Sequence, residues 1–340
     1  VSGTLNVTAS GAITDSGAVV VTGTATFTAG SGNDITLNTA ANNFSTVAIV
    51  SGKDVTLVDS NAMVLGASTV SGILAVTAGG SVTQSGTVTA GTLTASLSSG
   101  ALNLGTATNA ISNLGAITAP GGFTLTNGNT SVTVGGTINT TTTGTVSISV
   151  GSGTYTQNDF DITSGSGNIT ITADVVAIGA NTLNNAFQTS GTLTLEPSTV
   201  TVALSLAGAA TFDLTAAEVT DLAGGVTGAG TIVIGNAANT NAGSTLTVGG
   251  SVSFGSTTVT LNAYLFNDGD TTGRTVTAGT LNLNATGGAI GTANANGAID
   301  TTLSTLTLST TATNNAYINE TDAVALGAST VNGGLNLTSD

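Results

Sequence analysis

Short runs in which apolar and polar residues alternate recur along the whole chain. Each run centres on an apolar–polar–apolar triplet. The pairs are Leu5/Val7, Ile35/Leu37, Val55/Leu57, Leu74/Val76, Leu102/Leu104, Phe123/Leu125, Val146/Ile148 and Ile169/Ile171, then Leu193/Leu195, Phe212/Leu214, Ile232/Ile234, Val259/Leu261, Leu281/Leu283, Leu306/Leu308 and Leu335/Leu337. Period-two alternation over so few residues predicts half-buried strands. The Gly, Asn, Ser and Asp clusters between them supply turn conformations. No apolar i, i+3, i+4 stripe lasts three turns, so no helix is expected. The steps between runs are short: 20 residues from Ile35 to Val55, 19 from Val55 to Leu74, 23 from Val146 to Ile169, 19 from Leu193 to Phe212.

A longer repeat overlies these runs. Val1–Gly17 (VSGTLNVTASGAITDSG) matches Val70–Gly86 (VSGILAVTAGGSVTQSG) at 11 of 17 positions. The phrase LGASTV occurs at Leu65–Val70 and again at Leu326–Val331, where VNGGLNLTS follows. The chain therefore reads as a window excised from a longer repetitive protein. Strands recurring at this spacing predict an all-β, right-handed parallel β-helix, a β-solenoid of about 15 coils of roughly 20–25 residues each. Residues 1–340 are expected to form one continuous solenoid, a rod on the order of 70 Å long at the ~4.8 Å spacing of paired strands. Its inward ladder is expected to include Leu57, Val76, Leu104, Leu125, Ile171, Leu195, Leu214 and Ile234. A string of immunoglobulin-like sandwiches fits less well: those need ~100 residues per domain and usually a large buried aromatic, and Trp is absent.

Composition narrows the function. The chain holds 48 Gly and only 2 Pro, in keeping with ladders that need every N–H. Lys and Arg total 2 against 17 Asp and Glu, a formal net charge of −15. Two cations cannot neutralise a phosphate backbone, so nucleic acid is excluded as a partner. No apolar run reaches the ~18 residues of a membrane span, so no membrane insertion is expected. The absence of Cys and His removes thiolate and imidazole chemistry, and with it the usual zinc ligands.

The segments NNFSTVAIVSGKDVTLVDSNAMVLGASTVSGILAVTAGGSVTQSG and NAISNLGAITAPGGFTLTNG resemble the repeat regions of filamentous-haemagglutinin-type exoproteins and of very large bacterial "beta strand repeat" surface proteins. The resemblance covers essentially the whole chain through degenerate repeats. It implies a passenger secreted through an outer-membrane pore, often by two-partner secretion, and folded outside the cell as a right-handed parallel β-helix.

Candidate chemistry is sparse. Asp159/Asp161 in NDFD and Asp268/Asp270 in NDGD are spaced i, i+2. On an extended strand each pair would set two carboxyls roughly 6.5–7 Å apart, near the inverting-glycosidase separation. A β-helix enzyme acting on an acidic polysaccharide would usually add Arg, Lys or His, and Lys53 and Arg274 are the only cations. The carboxylates thus read as solvated turn residues, and no catalytic centre or cofactor is expected. Calcium is the one metal in question, with Asp268 and Asp270 as the oxygen-rich candidates; Ala29–Leu37 (AGSGNDITL) is a single imperfect copy of the calcium-binding nonapeptide, which works in tandem. Eight Asn-x-Ser/Thr sequons occur at about the number expected by chance in such a composition. Thr-x-Thr pairs such as Thr24/Thr26, Thr305/Thr307 and Thr311/Thr313 do not recur at one fixed step, so a regular outer threonine ladder is not expected.

These readings converge on a stalk or shaft segment of an extracellular bacterial adhesin or surface filament, displayed at the cell surface. Its partners would be a host or neighbouring cell surface, glycans or like subunits. A self-assembling filament subunit and a carbohydrate-active β-helix enzyme are the alternatives.

Overall fold

The computed structural model describes residues 1–141, 143–179, 186–269, 273–294, 296–311 and 313–339. They fall into two compact units, Val1–Asn168 and Ile169–Asp340. Each unit is a parallel β-solenoid, and the two together hold about 15 turns.

In Val1–Asn168 the inward residues of successive coils stack in register. One ladder runs Ile13, Ile35, Val55, Leu74, Leu93, Leu114. Beside it run Leu37, Leu57, Val76, Ala95, Ile117, Ile138 and Ile162. A second face carries Met63, Val82, Leu102, Phe123 and Val146, with Leu104, Leu125 and Ile148 alongside. All of these residues are buried. Covering a Leu or Ile side chain contributes about 1.5–3 kcal/mol, so the ladders are the main stabilising feature.

Bends between faces interrupt the backbone ladder, and buried side chains take over there. Asn42 Oδ1 accepts from Val19 N (2.7 Å), Asp59 Oδ2 from Phe44 N (2.5 Å), Asn109 Oδ1 from Val88 N (2.9 Å) and Asn127 Oδ1 from Ile111 N (2.8 Å). Each supplies the acceptor that a buried N–H requires at a corner.

In Ile169–Asp340, one ladder is Leu193, Ile232, Val259, Leu281, Leu306 and its neighbour is Ile171, Leu195, Ile234, Leu261, Leu283, Leu308. A further face stacks Leu204, Leu246 and Phe266, then Ile290, Ala316 and Leu335.

Four features depart from the pattern read in the sequence. The eight inward positions are all buried, but they belong to several columns: Leu57 stacks on Val76, Leu104 on Leu125, and Ile171, Leu195 and Ile234 on one another. Leu214 is not the next rung after Leu195; it pairs with Leu206 in a separate four-stranded sheet. The rung that follows Thr192 is Thr231, 39 residues on. Part of that excursion is a helix, Ala216–Gly225, started by a capping box in which Thr215 Oγ1 accepts from Glu218 N (3.3 Å) and Glu218 Oε2 accepts from Thr215 N (2.7 Å). It buries Val219, Asp221 and Leu222, a stripe shorter than three turns.

The fourth departure concerns threonine. Thr192, Thr231, Thr258, Thr280 and Thr305 do stack in one outward column despite their unequal sequence steps. The companion column, Thr194, Val233, Thr260, Asn282 and Thr307, is broken twice. Register follows strand pairing, so a fixed sequence step is not needed.

Candidate functional site

Asp268 is buried, 1% exposed, at a tight turn in which Asn267 Oδ1 accepts from Gly269 N (3.0 Å) and Gly269 takes φ +68°. Arg274 Nη1 donates to the carbonyl oxygens of Asp268 (3.1 Å) and Val248 (3.3 Å). This places a fixed positive charge beside the loop, which opposes a second cation there. Asp270 lies outside the described residues. Asp159 and Asp161 sit in the bend before the strand Ile162–Gly165 rather than on a strand face; Asp159 is exposed and Asp161 half-buried. In Ala29–Leu37, Asn33 Nδ2 closes the turn on Ala29 O (2.7 Å), and Asp34 lies 3.9 Å from Lys53 Nζ. Lys53 also meets Asp54 at 3.1 Å; this contact lifts the lysine above its usual range, while the Ile73 N–H and Lys53 hold Asp54 below its own. Among the described residues, no group of three or more acidic side chains is gathered for a metal.

In the unit Ile169–Asp340 a cavity of about 290 Å³ opens on the outer surface. Its floor is built by strand register. Asp300, Asn319 and Thr338 occupy one outward column, with Tyr317 and Asn336 paired beside it. Thr292 and Asn294 form a wall. Asn319 Nδ2 donates to Asp300 Oδ1 (3.0 Å), and Thr338 Oγ1 donates to Asn319 Oδ1 (3.2 Å). Asn315 Nδ2 donates to Tyr317 Oη (2.9 Å), which fixes the far end of the ring. The strands Ile299–Thr310 and Ala316–Glu320 are anchored beneath by Ile299, Ile318 and Ala316, all buried. Asp300, Tyr317 and Asn319 are therefore held on strands with a buried inner face. Sequence reasoning did not gather these residues. The signal available was the common 19-residue separation of Asp300, Asn319 and Thr338, which is visible only once those stretches are aligned as neighbouring coils.

Comparison with known proteins bears on the repeat. A family described as "Repeats of unknown function (DUF5649)" matches residues 1–51 and 52–113. The boundary between the two copies falls at the end of the strand Asn43–Ser51. The chain is a repeat protein. Comparison with curated proteins and with solved structures gave no match. The two matched repeats lie within the unit Val1–Asn168, where the ladders Ile13–Leu114 and Leu37–Ile162 give each copy its buried face.

Proposed function

We propose that the chain is a structural stalk or shaft segment of an extracellular bacterial adhesin or surface filament, of the filamentous-haemagglutinin-like kind. The observation that carries this reading is the stacking of buried apolar ladders, coil on coil, through each unit. A coil buries its inner face only against its neighbours, so an array of coils is stiff and can be lengthened by adding repeats. Two further features fit. The two DUF5649 copies are the kind of unit such an array multiplies. A surface with 2 cations against 17 acids resists nonspecific association with anionic cell envelopes.

On this reading the segment works by reach, holding other parts of a surface protein away from the cell toward a host or neighbouring cell surface. The test is dimensional. The chain and a variant lacking residues 52–113 are compared by electron microscopy and small-angle scattering, and protease treatment of intact cells reports surface exposure. The deletion should shorten the particle while its cross-section stays constant, and the protein should be cleaved from outside. A compact particle whose length is unaffected by the deletion, or complete protection on intact cells, would overturn the proposal.

A further inference from the structure

The chemistry of the lining of the cavity at Tyr317 selects a ligand class. Among the described residues no lysine or arginine lines it and the one carboxylate is Asp300, so phosphate, sulfate and carboxylate ligands meet repulsion without compensation. A single carboxylate falls short of the charge and ligand number that calcium takes from a protein. Amides and hydroxyls are too numerous for an apolar guest, which would strip them of water without replacing their bonds. At about 290 Å³ the space lies at the lower edge of the ~300–1,000 Å³ range of small-molecule clefts. That suits one or two small rings.

We propose that this groove binds a neutral saccharide unit. A sugar ring offers alternating hydroxyl donors and acceptors on its rim and an apolar C–H face. Asn336 and Asn294, which line the cavity, each carry a donor and an acceptor on one planar group, the pairing that adjacent hydroxyls require. Asp300 accepts only, giving a charge-assisted bond to one hydroxyl. Its bond from Asn319 pre-sets the carboxylate's orientation, and the Thr338–Asn319 bond does the same for the amide. Tyr317 supplies an aromatic body with a polar tip, held at that tip by Asn315. Because Asp300, Asn319 and Thr338 are bonded to one another across neighbouring strands, that part of the site is preorganised, which limits the ordering cost of binding. This site is independent of the stalk reading: a shaft can lack a ligand, and the groove can bind one on a protein of any shape.

The experiment probes the full chain on an array of neutral and acidic oligosaccharides and then titrates methyl glycosides of the best responders by calorimetry. Neutral glycans should bind with dissociation constants on the order of a millimolar or tighter, and acidic counterparts should bind more weakly. Tyr317→Ala and Asp300→Ala should each weaken binding by about tenfold or more, whereas Tyr317→Phe should retain most of it. Thermal unfolding of each variant is recorded alongside. If Asp300→Ala melts early, Asp300→Asn, which keeps the side-chain volume, replaces it and should also weaken binding. Absence of any neutral responder, equal binding of acidic glycans, or unchanged affinity in both Tyr317→Ala and the Asp300 variant would overturn the proposal.

Discussion

Asn109 shows how much one buried amide does at a solenoid corner. It accepts from Val88 N and from Gln84 Nε2, and it donates to the Leu104 carbonyl at 2.8 Å. Asn109→Ala would leave the Val88 N–H buried without this acceptor and take one donor from the Leu104 carbonyl, at about 1–3 kcal/mol. The variant should lose on the order of 3 kcal/mol in urea unfolding; a loss below ~0.5 kcal/mol would show that water reaches the corner. Carboxylates act in two directions. Burial raises the pKa of Glu196, and burial aided by the adjacent Asp322 raises that of Glu320, which accepts from Thr301 Oγ1 (2.7 Å) and Leu303 N (3.0 Å). An acid whose folded pKa is raised favours the fold below its ordinary range, about 4.3 for Glu, and opposes it once pH rises through the raised value. Asp15 has the opposite sign: although desolvated, it is held low by bonds from Asn42, Thr39 and Asn38, so its contribution is present above the ordinary range and is lost as pH falls. The double variant Glu196→Gln/Glu320→Gln should therefore gain on the parent as pH rises from about 4 to 7. Melting curves across that range check it, and parallel pH profiles for the two proteins would contradict it.

At the scale of elements, stacked turns leave little room. A methyl at Gly79 would clash with the Ser60 carbonyl oxygen, while one at Gly17 would meet nothing within 4 Å. Gly79→Ala should destabilise by about 1–3 kcal/mol, and Gly17→Ala should be within about 0.5 kcal/mol of neutral. Equal melting temperatures for the two variants would mean that the Ser60 turn shifts freely. The same stacking explains what could be read in the sequence. Triplets such as Leu102/Leu104 and Leu281/Leu283 announce strands because one face is buried, and burial enforces alternation whatever the partner. Which column a triplet joins is a matter of pairing, and no residue in FDL at Phe212–Leu214 states that its partner is LSL at Leu204–Leu206. The helix was not expected: Thr215 and Glu218 stand in capping-box spacing, but the apolar stripe is too brief for periodicity to detect. The groove was least legible. Asp300, Tyr317 and Asn319 are ordinary outward residues in their own strands and become a site only through the neighbouring coil.

Charge is the property that belongs to the molecule as a whole. With a net charge of −15 and only Lys53 and Arg274 to offset it, self-repulsion opposes the compact state and is screened by added ions over a Debye length of about 10 Å at 0.1 M. The melting temperature should climb steadily as sodium chloride is raised from about 0.02 to 0.5 M, over which the screening length shrinks severalfold. A flat or falling profile would mean that the carboxylates are already compensated locally. Sequence length, by contrast, is a poor measure of these solenoids. Thr192 reaches its partner Thr231 after 39 residues, and Thr260 reaches Asn282 after 22, yet each crossing advances the stack by one strand spacing, about 4.8 Å. The surplus is spooled out sideways, as in Ala216–Gly225. Insertions and deletions between rungs are thus invisible to the ladders within a unit. Such a scaffold can acquire or shed side decorations over evolutionary time without changing its pitch.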